Sequence, residues 1–63
     1  MKIKVESCWV VGEKFNFRLT LPNGNRVLVP ALGGHWHLGV AKRALNTLEV
    51  LGFERRTIRF THV

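Results

Sequence analysis

The sequence is poor in cysteine and has no long apolar run. Cys8 is the only cysteine, so no disulfide can form within the chain. No apolar stretch approaches the roughly 20 residues that a membrane span needs, and the N-terminus lacks the apolar core of a signal peptide. These absences predict an intracellular, cytoplasmic protein whose fold is held together by non-covalent contacts.

Acidic residues are also scarce, which leaves the chain basic. Ten Lys and Arg stand against four Asp and Glu, for a formal net charge of +6 over 63 residues. Such a charge favours acidic partners, although it is also ordinary for the solubility of a small domain. The carboxylates are dispersed and no nucleophile–base arrangement is evident, so we expect no enzymatic activity.

Metal-binding motifs are missing. The segment His35-Trp36-His37, with Cys8 or His62, is the candidate ligand group, yet neither Cys-x-x-Cys nor His-x3-His spacing occurs. We expect no metal and no other cofactor, with Trp36 capping the core and the histidines in solvent.

A glycine-rich junction precedes the predicted helix, at Gly33, Gly34 and Gly39. Val40-Ala41 follow it, in place of the Lys and the Ser or Thr of a phosphate-binding loop, so nucleotide hydrolysis is not expected. Free backbone amides at this helix start remain suited to one phosphate of a polymer.

Residues 14–29 predict a β-hairpin, because apolar and polar side chains alternate on both sides of a turn at residues 22–25. Gly24 is expected to take the left-handed conformation that closes a bulged hairpin. The alternation places Leu19 opposite Val27, and Pro30 indicates a strand at the sheet edge or ending there. The side chains expected to point inward are Phe15, Phe17, Leu19, Leu21, Val27 and Val29.

Residues 1–11 predict a first strand, half buried. A three-residue loop over residues 12–14 keeps the apolar residues together by placing Trp9 opposite Phe17, whereas a two-residue loop mixes the faces. The side chains predicted to face the core are Ile3, Val5, Trp9 and Val11, and those predicted to face outward are Lys2, Lys4, Glu6 and Cys8.

From about His37 the apolar period becomes helical and ends at Gly52, a natural helix stop, after which Phe53 is expected to fold back onto the core. Residues 57–62 predict a last strand with Ile58 and Phe60 inward. The predicted apolar stripe of the helix is Leu38, Ala41, Ala44, Leu45, Leu48 and Leu51.

Together these elements predict an α+β fold, a single small domain over residues 1–63 with the order β-β-β-α-β. A four-stranded mixed sheet in the order 3-2-1-4 carries one helix packed on one face. Its architecture alone resembles the sheet-reading DNA-binding domains of some integrases. The chain has none of their motif residues and adds a fourth strand, so the resemblance assigns no function.

The uncovered face of this sheet is predicted to collect basic residues, which can follow phosphates or read base edges in a major groove. Basic strand faces also serve simply to prevent aggregation. No aromatic residue falls on this face, which disfavours base stacking and favours a duplex or its backbone as the ligand. The predicted nucleic-acid-binding residues are Lys2, Lys4, Lys14, Asn16, Arg18, Arg26 and Arg59.

Our first hypothesis is therefore a small basic DNA- or RNA-binding protein. The alternative is a phage-type or regulatory interaction protein that binds an acidic protein partner or itself, through an interface at Val10 and Leu28. A domain of this size, expected to bury roughly 60% of its unfolded surface, gains stability from such a partner. The sequence also contains a second basic region, for which a solvated helix side and a polar turn are the alternative interpretation. Its residues are Lys42, Arg43, Arg55 and Arg56.

Overall fold

The structure is a computed structural model that describes residues 3–4, 7–31 and 35–63. The strands form one mixed sheet in the order β3-β2-β1-β4, in which β4 runs parallel to β1 and the other neighbours are antiparallel. The predicted α+β fold, the strand order and the edge position of the third strand are confirmed. The elements are β1 (Cys8–Gly12), β2 (Asn16–Thr20), β3 (Arg26–Pro30), α1 (Leu38–Val50) and β4 (Phe60–His62).

The β2–β3 hairpin has the predicted register, with Leu19 opposite Val27. Two backbone hydrogen bonds close its turn: Gly24 N donates to Leu21 O at 2.9 Å, and Leu21 N donates to Asn25 O at 2.8 Å. Gly24 has a φ of 89°, in the left-handed region that glycine enters without a steric penalty. The sequence pattern of this hairpin therefore agrees with its structure.

In β1, the face that is turned towards the core is the opposite of the one predicted. Trp9 lies opposite Thr20 and not opposite Phe17, a difference of three residues in register. Because side chains alternate along a strand, any odd shift exchanges its two faces. Cys8 and Val10 are therefore buried, and Trp9 points away from the core.

The turn between β1 and β2 accounts for this shift. It is centred on Lys14 and Phe15, and Glu13 N donates to Asn16 O across it at 2.8 Å. Phe15, which we predicted to face the core, is 59% exposed because it occupies the turn.

The chain before β1 does not extend that strand back to residue 1 as predicted. Ile3 instead forms an isolated parallel bridge with Phe53, and Glu54 N donates to Ile3 O at 2.7 Å. Residues 1–2 and 5–6 of the predicted strand lie outside the described residues.

α1 covers the sheet with Val40, Ala44 and Leu48, which belong to the same buried cluster as the inward residues of the strands. Leu38 and Leu51, both predicted for the apolar stripe, are exposed because they stand at the two ends of the helix. Within the described ranges, no helix is long and apolar enough to cross a bilayer.

α1 stops at the predicted glycine. Gly52 has a φ of 101°, its N–H donates to Glu49 O, and the N–H of Phe53 donates to Leu48 O, both at 3.0 Å. This pair of bonds satisfies carbonyls at the helix end and reverses the chain. Phe53 is buried against the core, as predicted.

The last strand is shorter than predicted, because a 3₁₀ helix (Arg55–Thr57) ends at Thr57, and Ile58 and Arg59 connect it to β4. β4 contains only the last three residues of the 57–62 segment, Phe60–His62. Ile58 and Phe60 pack against the core as predicted.

An aromatic cluster fills one end of the core around Trp36. Its ring meets those of Phe17, Phe60 and His62 edge-on, at centroid distances of 5.1, 5.0 and 4.9 Å. Gly12 lies opposite Phe17, and a Cβ at Gly12 would come within 3.2 Å of that ring. The predicted role of Trp36 as a cap on the core is confirmed.

Candidate nucleic-acid interface

The sheet surface turned away from α1, which we call the open face, is built from alternate residues of the strands. Strand pairing arranges these residues in rows that run across the sheet. One row is Thr61-Trp9-Thr20-Arg26 and the next is Val11-Arg18-Leu28. Asn16 and Pro30 form a third row at the end of the β2–β3 pair.

Arginines from three places in the chain lie on the open face. Arg26 is exposed on the edge strand β3, and Arg18 is half-buried in the middle of β2. Arg59 is exposed and directly precedes the inward Phe60, so alternation turns its side chain to the open side. The structure thus places Arg18, Arg26 and Asn16 on the open face, as predicted, and alternation puts Arg59 on the same side at the opposite edge of the sheet.

Arg18 has an acidic neighbour from the β1–β2 turn. Glu13 Oε1 lies 3.6 Å from Arg18 Nη1, and the two side chains are 41% and 36% exposed. An ion pair so accessible to water contributes at most about 1 kcal/mol to stability. Among the described residues, the buried atoms Arg18 Nε and Asn16 Oδ1 have no hydrogen-bond partner.

The lysines predicted for this face are placed differently. Lys14 is exposed in the β1–β2 turn, with Nζ 5.3 Å from the centre of the Phe15 ring. Lys4 is exposed outside the four strands, because the chain at Ile3 pairs with the segment after α1. Lys2 lies outside the described residues. The open face therefore depends more on arginine than the sequence predicted.

Trp9 is the residue of the open face that the sequence prediction missed. Its side chain is 49% exposed and stands between Thr20 on β2 and Thr61 on β4. The prediction that no aromatic residue falls on this face is wrong, because the register of β1 turns the strand over. The reason for preferring a duplex over a single strand is thereby removed.

One signal in the sequence was available for finding the correct face of β1. Residues 8–11 are all apolar, so alternation alone does not choose between the two faces. Taken together, the side chains of Cys8, Val10 and Gly12 are smaller than those of the alternate residues. They suit the covered side of the sheet, where a helix and large aromatic rings pack. The absence of a side chain at Gly12 makes room for Phe17.

The two residues predicted as an apolar interface are separated by the structure. Val10 is 2% exposed and belongs to the core, which contradicts its predicted place on the uncovered face. Leu28 is 58% exposed on the open face, as predicted. Cys8, which we expected beside them, is fully buried, and burial raises the pKa of its thiol from 9.0 to about 11.

The second predicted basic region takes part in packing. Arg43 Nη1 donates to Pro30 O at 2.9 Å, which ties α1 to the end of β3. Arg55 Nη1 donates to Asn46 Oδ1 at 2.8 Å, which ties the 3₁₀ helix to α1. Arg56 pairs loosely with a glutamate, whereas Lys42 is exposed. Arg43 and Arg55 therefore link α1 to its neighbouring elements on the side away from the open face.

The histidines are exposed, as predicted. His37 caps α1, since its Nδ1 accepts a hydrogen bond from Gly39 N at 3.1 Å. In the part of the chain that the structure describes, no three His, Cys, Asp or Glu side chains gather as a metal site. Gly33 and Gly34, from the predicted glycine-rich junction, lie outside that part.

Comparison with protein-family models, curated proteins and solved structures finds no significant match. We therefore infer function from the chemistry of the open face.

Proposed function

We propose that this chain is a small, non-enzymatic nucleic-acid-binding protein that holds a phosphate backbone on its open face. The observation that carries this proposal is the set of arginines at Arg18, Arg26 and Arg59. Guanidinium groups stay charged at any physiological pH and donate paired hydrogen bonds to phosphate oxygens. Within the described ranges, Glu13 is the only carboxylate within 4 Å of these three groups.

The spacing of the arginines suits a polymer of phosphates. Arg26 and Arg59 stand at opposite edges of the sheet, on β3 and before β4. Four adjacent strands span roughly 14 Å from first to last. Along the axis of a duplex each strand has a phosphate about every 3.4 Å, so the open face extends over more than one of them. The net charge of +6 adds attraction at longer range.

A salt titration of binding to labelled oligonucleotides tests the proposal. Each phosphate contact makes the slope of log K against log salt concentration more negative by roughly 0.7 to 0.9. We expect Arg18→Ala and Arg26→Ala each to weaken binding and to make this slope less negative by about the amount of one contact. Lys42→Ala is the matched control, since Lys42 is exposed on the helix side of the sheet. Binding that is insensitive to salt, or equal losses in all three variants, would overturn the proposal.

The apolar side chains of the open face favour a second candidate, an interaction surface for an acidic protein or a second copy of the chain. Trp9 and Leu28 are both about half exposed there. Tryptophan and arginine often dominate the binding energy of protein interfaces. Sedimentation of the unaltered chain and of Leu28→Glu tests self-association. A dimer that the substitution dissociates supports this candidate, and a monomer in both cases removes its self-association form.

A further inference from the structure

The two tryptophans of this protein have contrasting environments. The ring of Trp36 is surrounded by the rings of Phe17, Phe60 and His62. Trp9 is 49% exposed, and none of the ring contacts found among the described residues involves it. A large apolar ring at the centre of a charged face is unusual, because tryptophan is normally buried to a high degree.

The neighbours of Trp9 leave its ring accessible. The cross-strand partners are threonines on both sides, Thr20 on β2 and Thr61 on β4. A threonine side chain is too short to cover an indole, and its hydroxyl both donates and accepts hydrogen bonds. The row Thr61-Trp9-Thr20 therefore presents a flat apolar ring between two polar groups.

Positive charge lies near this ring on the side of β2 and β3. Arg18 is the diagonal neighbour of Trp9 on β2, a relation that separates two side chains by about 7–8 Å. Arg26 lies in the same row as Trp9, two strands and thus roughly 10 Å away. A nucleotide whose base covers the indole has its phosphates near these guanidinium groups.

Resting on the proposed function, we infer that the open face binds single-stranded nucleic acid by stacking a base on the indole of Trp9. The interior bases of a duplex are stacked on one another and offer no free face, so this contact favours single strands. Stacking a base on an aromatic side chain tolerates any base, because each has a π face. The arginines contact the phosphate backbone of the nucleic acid, which single strands and duplexes both have.

The experiment measures binding of labelled 12-nucleotide single strands, one of DNA and one of RNA, and of the corresponding DNA duplex. Trp9→Thr removes the ring and keeps a residue suited to a strand, and Trp9→Phe keeps an aromatic ring. Leu28→Ala is the matched control, since it shortens another exposed apolar side chain of the same face. Thermal unfolding of each variant verifies its fold.

We expect Trp9→Thr to weaken single-strand binding roughly 5- to 150-fold, the range that corresponds to losing one stacked base. Duplex binding should change less than about twofold, and Trp9→Phe should retain most single-strand affinity. Tryptophan fluorescence of the unaltered chain should be quenched by single strands. The quenching should disappear in Trp9→Phe, because Trp36 lies on the helix side of the sheet, packed against the core and in contact with three other rings. Comparison of the DNA and RNA strands decides which of the two is preferred.

The outcomes separate the inference from the proposed function. Salt-sensitive binding that prefers a duplex, or that Trp9→Thr leaves unchanged, overturns the stacking inference and leaves the nucleic-acid proposal standing. Absence of binding to every oligonucleotide overturns both. If Trp9→Thr does not fold, the preference of the unaltered chain for single strands and the loss of quenching in Trp9→Phe still decide the question.

Discussion

Val10 on β1 and Leu19 on β2 are cross-strand partners, and both are buried beneath α1. This pair sets the orientation of the whole β1 strand, because alternate side chains point to opposite faces. With Val10 in the core, Trp9 must lie on the open face. The burial of Val10 against Leu19 therefore also places an aromatic side chain on the open face.

Leu19 and Leu28, on neighbouring strands, should differ sharply in their contribution to stability. Leu19 is fully buried and Leu28 is 58% exposed. Leu19→Ala should lower the free energy of unfolding by roughly 2–5 kcal/mol, because it removes buried atoms and leaves a cavity. Leu28→Ala should change it by less than about 1 kcal/mol. Urea unfolding measures both, and equal losses would contradict the assigned faces of the sheet.

Cys8 should make the protein less stable in alkali. Its pKa is raised from 9.0 to about 11 by burial, so above pH 9 the unfolded chain releases the thiol proton before the folded chain does. The contribution of this thiol to the free energy of unfolding is complete below pH 9. It falls by roughly 2 kcal/mol as the pH rises towards 11.

Urea unfolding between about pH 8 and pH 11 measures this loss, with Cys8→Ala as the control that lacks the thiol. The variant is expected to be less stable at pH 8 and to decline less steeply as the pH rises. An identical decline in the two proteins would show that other groups cause it.

His37 should act as a helix cap. Its Nδ1 accepts a hydrogen bond from the Gly39 amide at the start of α1, and no acidic residue lies in the first turn. His37→Ala should lower the free energy of unfolding by about 0.5–2 kcal/mol, whereas His37→Asp should restore or exceed the original value. Thermal unfolding monitored by circular dichroism measures both changes. Equal destabilisation by Ala and Asp would contradict the capping role.

Glu13 should weaken the binding of polyanions. Its carboxylate lies 3.6 Å from the guanidinium of Arg18 and competes with a phosphate for that group. Glu13→Gln should therefore raise the affinity for nucleic acid several-fold at low salt, with a smaller gain at high salt where charges are screened. The cost in stability should stay below about 1 kcal/mol. Unchanged affinity at low salt would place the phosphate contacts away from Arg18.

Local patterns predicted the parts of this fold that depend on neighbouring residues. Gly24 closes the β2–β3 turn and places Leu19 opposite Val27, because alternation and turn geometry agree there. Gly52 ends α1 for a similar local reason. The strand order followed from the succession of these elements.

The N-terminal part was predicted less well, because its pattern is ambiguous. Each residue from Cys8 to Val11 is apolar, so both faces of the strand looked suitable for burial. Ile3 fits the alternating pattern of a first strand, yet it forms a bridge with Phe53, which follows α1. Such pairings join residues far apart in sequence, and no local signal specifies them.

The amino-acid sequence by itself determined an α+β fold with an exposed basic hairpin, since alternation sorts Arg18 and Arg26 away from Leu19. Only the tertiary structure decided the orientation of β1. On the covered side Cys8 and Val10 pack in the same core cluster as α1, and the missing side chain of Gly12 leaves space for the Phe17 ring. Packing thus placed Trp9 among the arginines of the open face.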